Sequence, residues 1–299
     1  MKKEERKLKK RDLKKIGQRA YSWLYILPGL IGVSVFYVLP FGFVIYYSLI
    51  DNISTRNFVG LDNFKALFQN SAFLTASKNT LTFSLVTVFS AVIFSLILAV
   101  ILDSKIPGKS KFRTMFLSPL MVPTASIILI WQVMFSFNGS FNSFIELFGL
   151  EPVDWMKSEY SQIVVALLFL WKNLGYNMIL FMAALSNIPK DQVEAAEVDG
   201  ANALQRFFKI KLRYISPSLF FVLLLSLINS FKIFREVYLL TGQWPYETLY
   251  FLQHFMNNTF KNLDYPRLSA AAIVMSLFII VIIGIIFILE DKFGKDVEE

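Results

Sequence analysis

Residues 268–289 read LSAAAIVMSLFIIVIIGIIFIL, twenty-two residues without one charged side chain. As a helix rising about 1.5 Å per residue this run reaches about 33 Å, enough to cross a hydrocarbon layer about 30 Å thick. Outward from it lie five further apolar runs: Trp23 to Ile50, Leu81 to Leu102, Thr114 to Phe137, Gln162 to Leu185 and Pro217 to Leu240. The whole chain of 299 residues is 55% hydrophobic and only 17% charged, with 31 phenylalanines. A soluble core of that size cannot hide so much apolar surface, whereas a bilayer solvates it. The sequence therefore predicts an all-α, polytopic membrane protein with six transmembrane helices. Pro28 and Pro40 in the first run, and Pro119 and Pro123 in the third, predict kinks.

Composition also excludes chemistry. With no cysteine there is no disulfide, thiolate nucleophile or iron–sulfur cluster, and a single histidine, His254, cannot build a histidine metal site or supply a Ser-His triad with spare parts. Gly108-Lys109-Ser110 resembles the end of a Walker A motif, but Asp103 stands where the first glycine is required and no strand precedes it. No catalytic residue and no metal site is expected.

Orientation follows from the basic residues, which accumulate on cytoplasmic flanks. The N-terminal tail holds ten, the second connection four, the fourth five and the C-terminal tail two, against six in the other three connections. Both termini are thus expected in the cytoplasm. The expected organisation is a basic tail (1–22), a six-span domain (23–289) and a short C-terminal tail (290–299). A ten-cation tail could bind nucleic acid or anionic lipid, but abutting a hydrophobic span it reads more simply as a topology signal, so no nucleic acid is expected. A cleavable signal peptide is disfavoured, because the apolar run after the tail is about twice the usual length and no small-residue cleavage site follows.

The fourth connection, residues 186–216, is longer than a turn requires. Ser186 or Asn187 near a cap, Pro189, early Asp191 and Glu194, and good helix formers to Val198 predict one helix, which Gly200 breaks. A second helix is expected from about Ala203, with Leu204, Phe207, Phe208 and Leu212 on its apolar side. Glu194-Ala195-Ala196, then Gly200, then Ile210 and Leu212 after nine intervening residues, resemble the EAA loop of binding-protein-dependent ABC importer permeases. Arg213 stands where that pattern usually has proline, and Pro217 is expected to take over the stop. The resemblance extends from Leu27-Pro28-Gly29 through Phe58-Val59-Gly60-Leu61-Asp62-Asn63-Phe64 to Leu240-Thr241-Gly242 and Pro245. In detail it is to the maltose-type carbohydrate group, and within it to the larger member of the permease pair.

That resemblance implies a permease in the bacterial plasma membrane that moves a sugar or oligosaccharide inward. Its implied partners are a second homologous permease subunit, two ATP-binding subunits and an extracytoplasmic sugar-binding protein. It implies no cofactor in this chain, ATP and magnesium belonging to the ATPases, and coupling to them through Glu194, Ala195, Ala196, Asp199 and Gly200. A short rigid helix held in an ATPase cleft carries force where a floppy loop cannot. Ala195 and Ala196 permit close approach.

Ionisable and amide groups at membrane depth usually face a cavity or a partner. In the fourth span Lys172, Asn173 and Tyr176 share one side, with Asn177 nearby. In the fifth, Ser226, Asn229, Ser230 and Ile233 form a stripe at i, i+3, i+4 and i+7. Sugar hydroxyls want such donors and acceptors, and the ring face wants an aromatic such as Tyr176 or Trp171. The resemblance places the family's transmembrane sugar site on these two helices, onto Lys172, Asn173, Tyr176, Ser226, Asn229, Ser230 and Ile233. The simpler reading is that Ser and Asn bond helices to one another. Lys232 and Glu236, at i and i+4, are expected to pair, while Lys172 or Arg235 attracting an acidic sugar is the alternative. Outer segments Leu61 to Phe68 and Phe141 to Leu150 are expected to be partly interfacial helices that could meet the binding protein.

Two other classes of protein fit the sequence less well. An ion-coupled secondary transporter usually has more spans or an inverted repeat, and none is visible. An intramembrane enzyme needs a catalytic pair that the sequence does not offer. The topology has a direct test in a chain without native cysteine. A membrane-impermeant maleimide should label a Ser140→Cys variant in whole cells and a Ser110→Cys variant only after lysis, and the reverse pattern overturns the orientation.

Overall fold

The computed structural model describes residues 25–104 and 107–294, so the basic tail 1–22 and the last residues of the C-terminal tail lie outside the described residues. Among those described there is no strand, only an isolated bridge between Ile50 and Phe58. They divide into two units, one of residues 25–67 with Asp264–Val274 and one of Phe68–Leu263 with the chain from Met275 onward.

The first unit carries the first span, Tyr25–Ser48. Helical geometry continues through Pro28, but Ser34–Val38 widens into a π turn in which the Leu39 N–H reaches Ser34 O. Pro40 follows at once. It offers no N–H and its ring crowds the carbonyl four residues back, and the wider turn relieves that crowding. At the span's end the Asn63 amide donates to Ser48 O at 2.9 Å and Ile50 O at 2.8 Å. It satisfies carbonyls that a helix terminus leaves open. Gly60, at φ 59°, makes the left-handed turn that brings Asn63 round, and the helix Asp62–Phe68 begins just after it.

In the second unit Asn70 accepts from Phe73 N at 3.1 Å and caps the longest continuous helix, Ser71–Asp103. This second span begins ten residues before Leu81, because helix-compatible residues precede the apolar run. It lies along the fourth span, Ser161–Ser186. Phe83 and Ala91 meet Val165, Leu168 and Phe169 in one buried cluster, and Val92 and Ala99 meet Met178 and Phe181 in another. The fifth span, Ser216–Thr241, joins the helices Ser216–Lys232 and Phe234–Thr241 at Ile233. Gly242 ends it at φ 78°. The sixth, Tyr265–Gly294, sets Ile286 against Val88, Leu227 and Phe231.

The third span departs from expectation. Instead of one kinked helix from Thr114 to Phe137, two helices, Lys109–Met121 and Thr124–Met134, meet at 98°. Val122 is extended, as a residue before proline prefers, and Pro119 and Pro123 each remove a helical donor. Among the described residues, five helical stretches are thus long and apolar enough to cross a membrane, and the bent pair, taken as one span, makes a sixth. The third connection contains the helix Ser140–Glu146, which stops short of Leu150. Buried Asn142 organises that connection, donating to Phe137 O and Val153 O and accepting from Trp155 Nε1 at 2.6 Å.

The first half of the broken span lies directly on the fourth. A Cβ added at Gly175 would stand 1.9 Å from Phe116 O, a backbone atom that cannot swing aside. Small residues let membrane helices approach this closely. Gly175→Ala should therefore destabilise the detergent-solubilised assembly by roughly 1–3 kcal/mol or more in a thermal melt. Gly284→Ala, whose Cβ would meet nothing within 4 Å, should leave the midpoint unchanged.

Candidate functional site

The connection between the fourth and fifth spans is the helix–turn–helix expected of it. Pro189 stands just before the helix Lys190–Val198, and Gly200 takes φ 84°. Asn202 and Gln205 then form a reciprocal capping box at 2.8 and 2.9 Å. The second helix, Ala203–Arg206, continues through a π turn, Phe207–Lys211, to Leu212–Tyr214. It stops at Ile215, two residues before Pro217. Two contacts make the two halves one body: Tyr214 donates to Gln192 Oε1 at 2.6 Å, and Arg206 lies 3.2 Å from Glu197. Ile188 and Ile215 are buried with Leu185 and Val222, at the ends of the two spans that the loop joins. The outward face carries Glu194, Ala195, Asp199 and Gly200, all exposed, with Ala196 half-buried. Val198 keeps 88% of its surface exposed, unusual for an apolar residue on a short helix.

Within the spans a cavity of about 500 Å³ opens at the break of the third span. Leu120 and Thr124 border it on either side of the break, Lys172 and Asn173 line it from the fourth span, and Asn229, Lys232, Ile233, Arg235 and Glu236 line it from the fifth. Non-helical backbone is tolerated at membrane depth only inside protein or beside a water-filled cavity, and the break obeys that rule. Asn229 Nδ2 donates to Asn173 Oδ1 at 3.0 Å, and Asn173 Nδ2 to Phe169 O at 2.8 Å. A larger hollow of about 610 Å³, between the second span and the loop's second helix, has walls of Ile93, Leu96, Ile97, Val100 and Leu204. That wall suits an acyl chain or a helix, not a sugar.

Of the seven residues expected on the substrate path, the cavity brings together Lys172, Asn173, Asn229 and Ile233. Ser226 and Ser230 are elsewhere. Each is buried, the first accepting from Asn177 Nδ2 at 2.9 Å and the second donating to Ser84 Oγ at 3.0 Å, so both bond one span to another. Tyr176 lies one turn from Lys172, does not line the cavity and is 40% exposed. Trp171 packs against Trp131 in a tilted arrangement with centroids 5.6 Å apart.

The expected Lys232–Glu236 pair is corrected. Glu236, 8% exposed, accepts from Lys172 on the neighbouring span. Lys232 and Glu236 stand on either side of the turn at Ile233, where Lys232 stays exposed while Glu236 is buried. Two further features escaped the sequence reading. Gln132 Nε2 donates to Leu239 O and Leu240 O, closing the end of the fifth span from the third. The helix Leu252–Lys261 holds His254 fully buried against Phe234 and Tyr250, and burial pushes its pKa down to about 4. The i, i+3, i+7 spacing of Leu252, Phe255 and Thr259 was the available signal for this helix.

These features define a membrane permease, with a cavity between its spans and a rigid helix–turn–helix projecting from two of them. The chain belongs to the family described as binding-protein-dependent transport system inner membrane components, whose model matches residues 91–298. It is 32% identical over 270 residues to the sn-glycerol-3-phosphate transport system permease protein UgpA of Salmonella typhimurium, covering 88% of this chain and 91% of that one. The Escherichia coli protein of the same name is 32% identical over 266 residues, covering 87% and 90%. In fold the chain is similar to a chain of a bacterial ABC transporter that imports the acidic polysaccharide alginate, with a TM-score of 0.80 and 22% identity over 97% of this chain and 100% of that one. A second structure of that transporter, in complex with an alginate pentasaccharide-bound periplasmic protein, also gives 0.80. The chain is thus a multi-pass membrane subunit of an ABC importer. It is not itself the ATPase, which resides in separate subunits. None of these likenesses supports the ion-coupled alternative.

The Lys172–Glu236 pair has a testable energetic signature. Removing one partner strands a charge at depth, so Lys172→Met alone or Glu236→Gln alone should destabilise the folded protein by about 3–5 kcal/mol. The double variant should recover most of that loss in a thermal melt. Additive losses would show that the pair is not coupled.

Proposed function

We propose that this chain is the permease through which an ATP-driven importer moves a sugar or oligosaccharide, handed over by an extracytoplasmic binding protein, into a bacterial cytoplasm. The observation that carries this reading is the cavity at the broken third span. There, two amides on neighbouring helices already bond to each other and can exchange that bond for sugar hydroxyls. The substrate contacts are Lys172, Asn173, Asn229 and Ile233, while Ser226 and Ser230 hold the surrounding spans in register and Tyr176 stands one turn along the path. A sugar phosphate is within the same chemistry, since the UgpA relatives are named for sn-glycerol-3-phosphate.

The partners in this reading are a second, homologous permease subunit, two ATP-binding subunits that carry ATP and magnesium, and the sugar-binding protein. The six-span domain 23–289 sits in the bacterial plasma membrane, with the tails 1–22 and 290–299 and the loop 186–216 in the cytoplasm. Glu194, Ala195, Ala196, Asp199 and Gly200 form the face presented to an ATPase, and exposed Val198 adds an apolar contact. A push on that face moves the fourth and fifth spans directly, because the loop is their covalent link and Ile188 and Ile215 are packed at its roots. Those two spans also line the cavity.

Separate variants test the two halves of this reading. Asn229→Ala should weaken occupancy of the cavity about 5-fold to 150-fold, the equivalent of roughly 1–3 kcal/mol for an unsatisfied partner, and uptake at sub-saturating sugar should fall to match. ATPase stimulation by the binding protein should survive that change. Glu194→Lys, or a leucine at Gly200, should leave insertion intact while ATPase co-purification or coupled uptake is lost. Wild-type uptake in both sets would remove the assignment.

A further inference from the structure

We propose that the ligand of this cavity is anionic, a saccharide bearing a carboxylate or a phosphate. The inference rests on the substrate-path reading above and narrows it to a chemical class. Four ionisable side chains line the cavity: Lys172, Lys232, Arg235 and Glu236. Three are cations and one is an acid, and the acid is occupied by Lys172. Lys232 and Arg235 have no ion-pair partner among the described residues. Both are exposed, on the segment either side of the break at Ile233.

Uncompensated cations within a span are expensive to insert, and they persist in membrane proteins where they meet an ion, a partner or a substrate. A neutral sugar needs neither. Its hydroxyls are served by Asn173 and Asn229, which already face the cavity. The broken helix does not supply the missing anion, because it brings a carbonyl-bearing end at Leu120 and an amide-bearing end at Thr124 to the same rim. Their opposed fields largely cancel, which leaves the side chains to decide. Arg235 offers a planar fork that fits carboxylate or phosphate oxygens in pairs, and Lys232 adds a mobile point charge. The volume of about 500 Å³ falls within the range of sites that enclose small ligands.

The test uses the assembled transporter with both permeases and the ATPases, without nucleotide. It measures binding of radiolabelled digalacturonate, glucose 6-phosphate and maltose by scintillation proximity. At least one of the two anions should bind tenfold or more tightly than maltose, with an affinity that falls as salt rises. The double variant Lys232→Gln/Arg235→Gln should abolish that preference. Which anion wins distinguishes carboxylate from phosphate. Equal or weaker binding of both anions relative to maltose overturns the proposal. So does loss of the second permease from the double variant on co-purification, which would make the two cations an interchain pairing device. The underlying path reading fails differently: Asn173→Ala and Asn229→Ala would then leave the binding of all three probes unchanged.

Discussion

Inside a bilayer no water is at hand for an unpaired peptide group, and the architecture of this permease is organised around one place where that constraint is broken. Pro119 and Pro123 deprive the third span of two donors, and the helix turns through 98° at Val122–Pro123. Such a break survives only if protein or a wet cavity receives the freed backbone. Here it has both. The first half of the span is pressed onto the fourth at Gly175, and the junction opens on the cavity lined by Asn173 and Asn229. Lys232 and Arg235, on either side of the turn at Ile233, line the same cavity.

In the proposed mechanism, motion reaches that cavity through few parts. The fourth and fifth spans line it, and the loop that joins them is stiffened by its capping box, by the Tyr214–Gln192 bond and by the Arg206–Glu197 pair. A rigid link between two cavity-lining helices makes a lever. Asn177 bonded to Ser226 holds the two spans together within the membrane, and the Lys172–Glu236 pair does the same at the cavity. In the proposed coupling, displacement of the loop moves them jointly against the second span.

Much of this was legible in the residues because the bilayer simplifies the code: apolar length marks the spans, and the loop between the fourth and fifth announced its two helices through Pro189, Gly200 and the amphipathic run from Ala203. Pairing was harder to read. Glu236 looked available to Lys232 on the same helix, yet it accepts from Lys172, sixty-four residues away on the fourth span. Ser226 and Ser230 shared a stripe with Asn229, yet a helical stripe is wide enough to face two neighbours, and the two serines turn to the fourth and second spans instead. The helix at Leu252–Lys261 is too short and too polar to register as a span, and its amphipathic spacing was the one cue.

The central claim is that the fourth and fifth spans enclose a wet, substrate-accessible path driven from the loop between them. Because the chain has no cysteine, an Asn229→Cys variant in the assembled transporter reports on it directly through its rate of modification by a small hydrophilic methanethiosulfonate. Ready modification, slowed by the transported saccharide and altered when ATP is trapped on the ATPases, is the predicted result. A thiol that reacts only with lipophilic reagents, at a rate indifferent to saccharide and ATP, would place Asn229 against lipid and contradict the account.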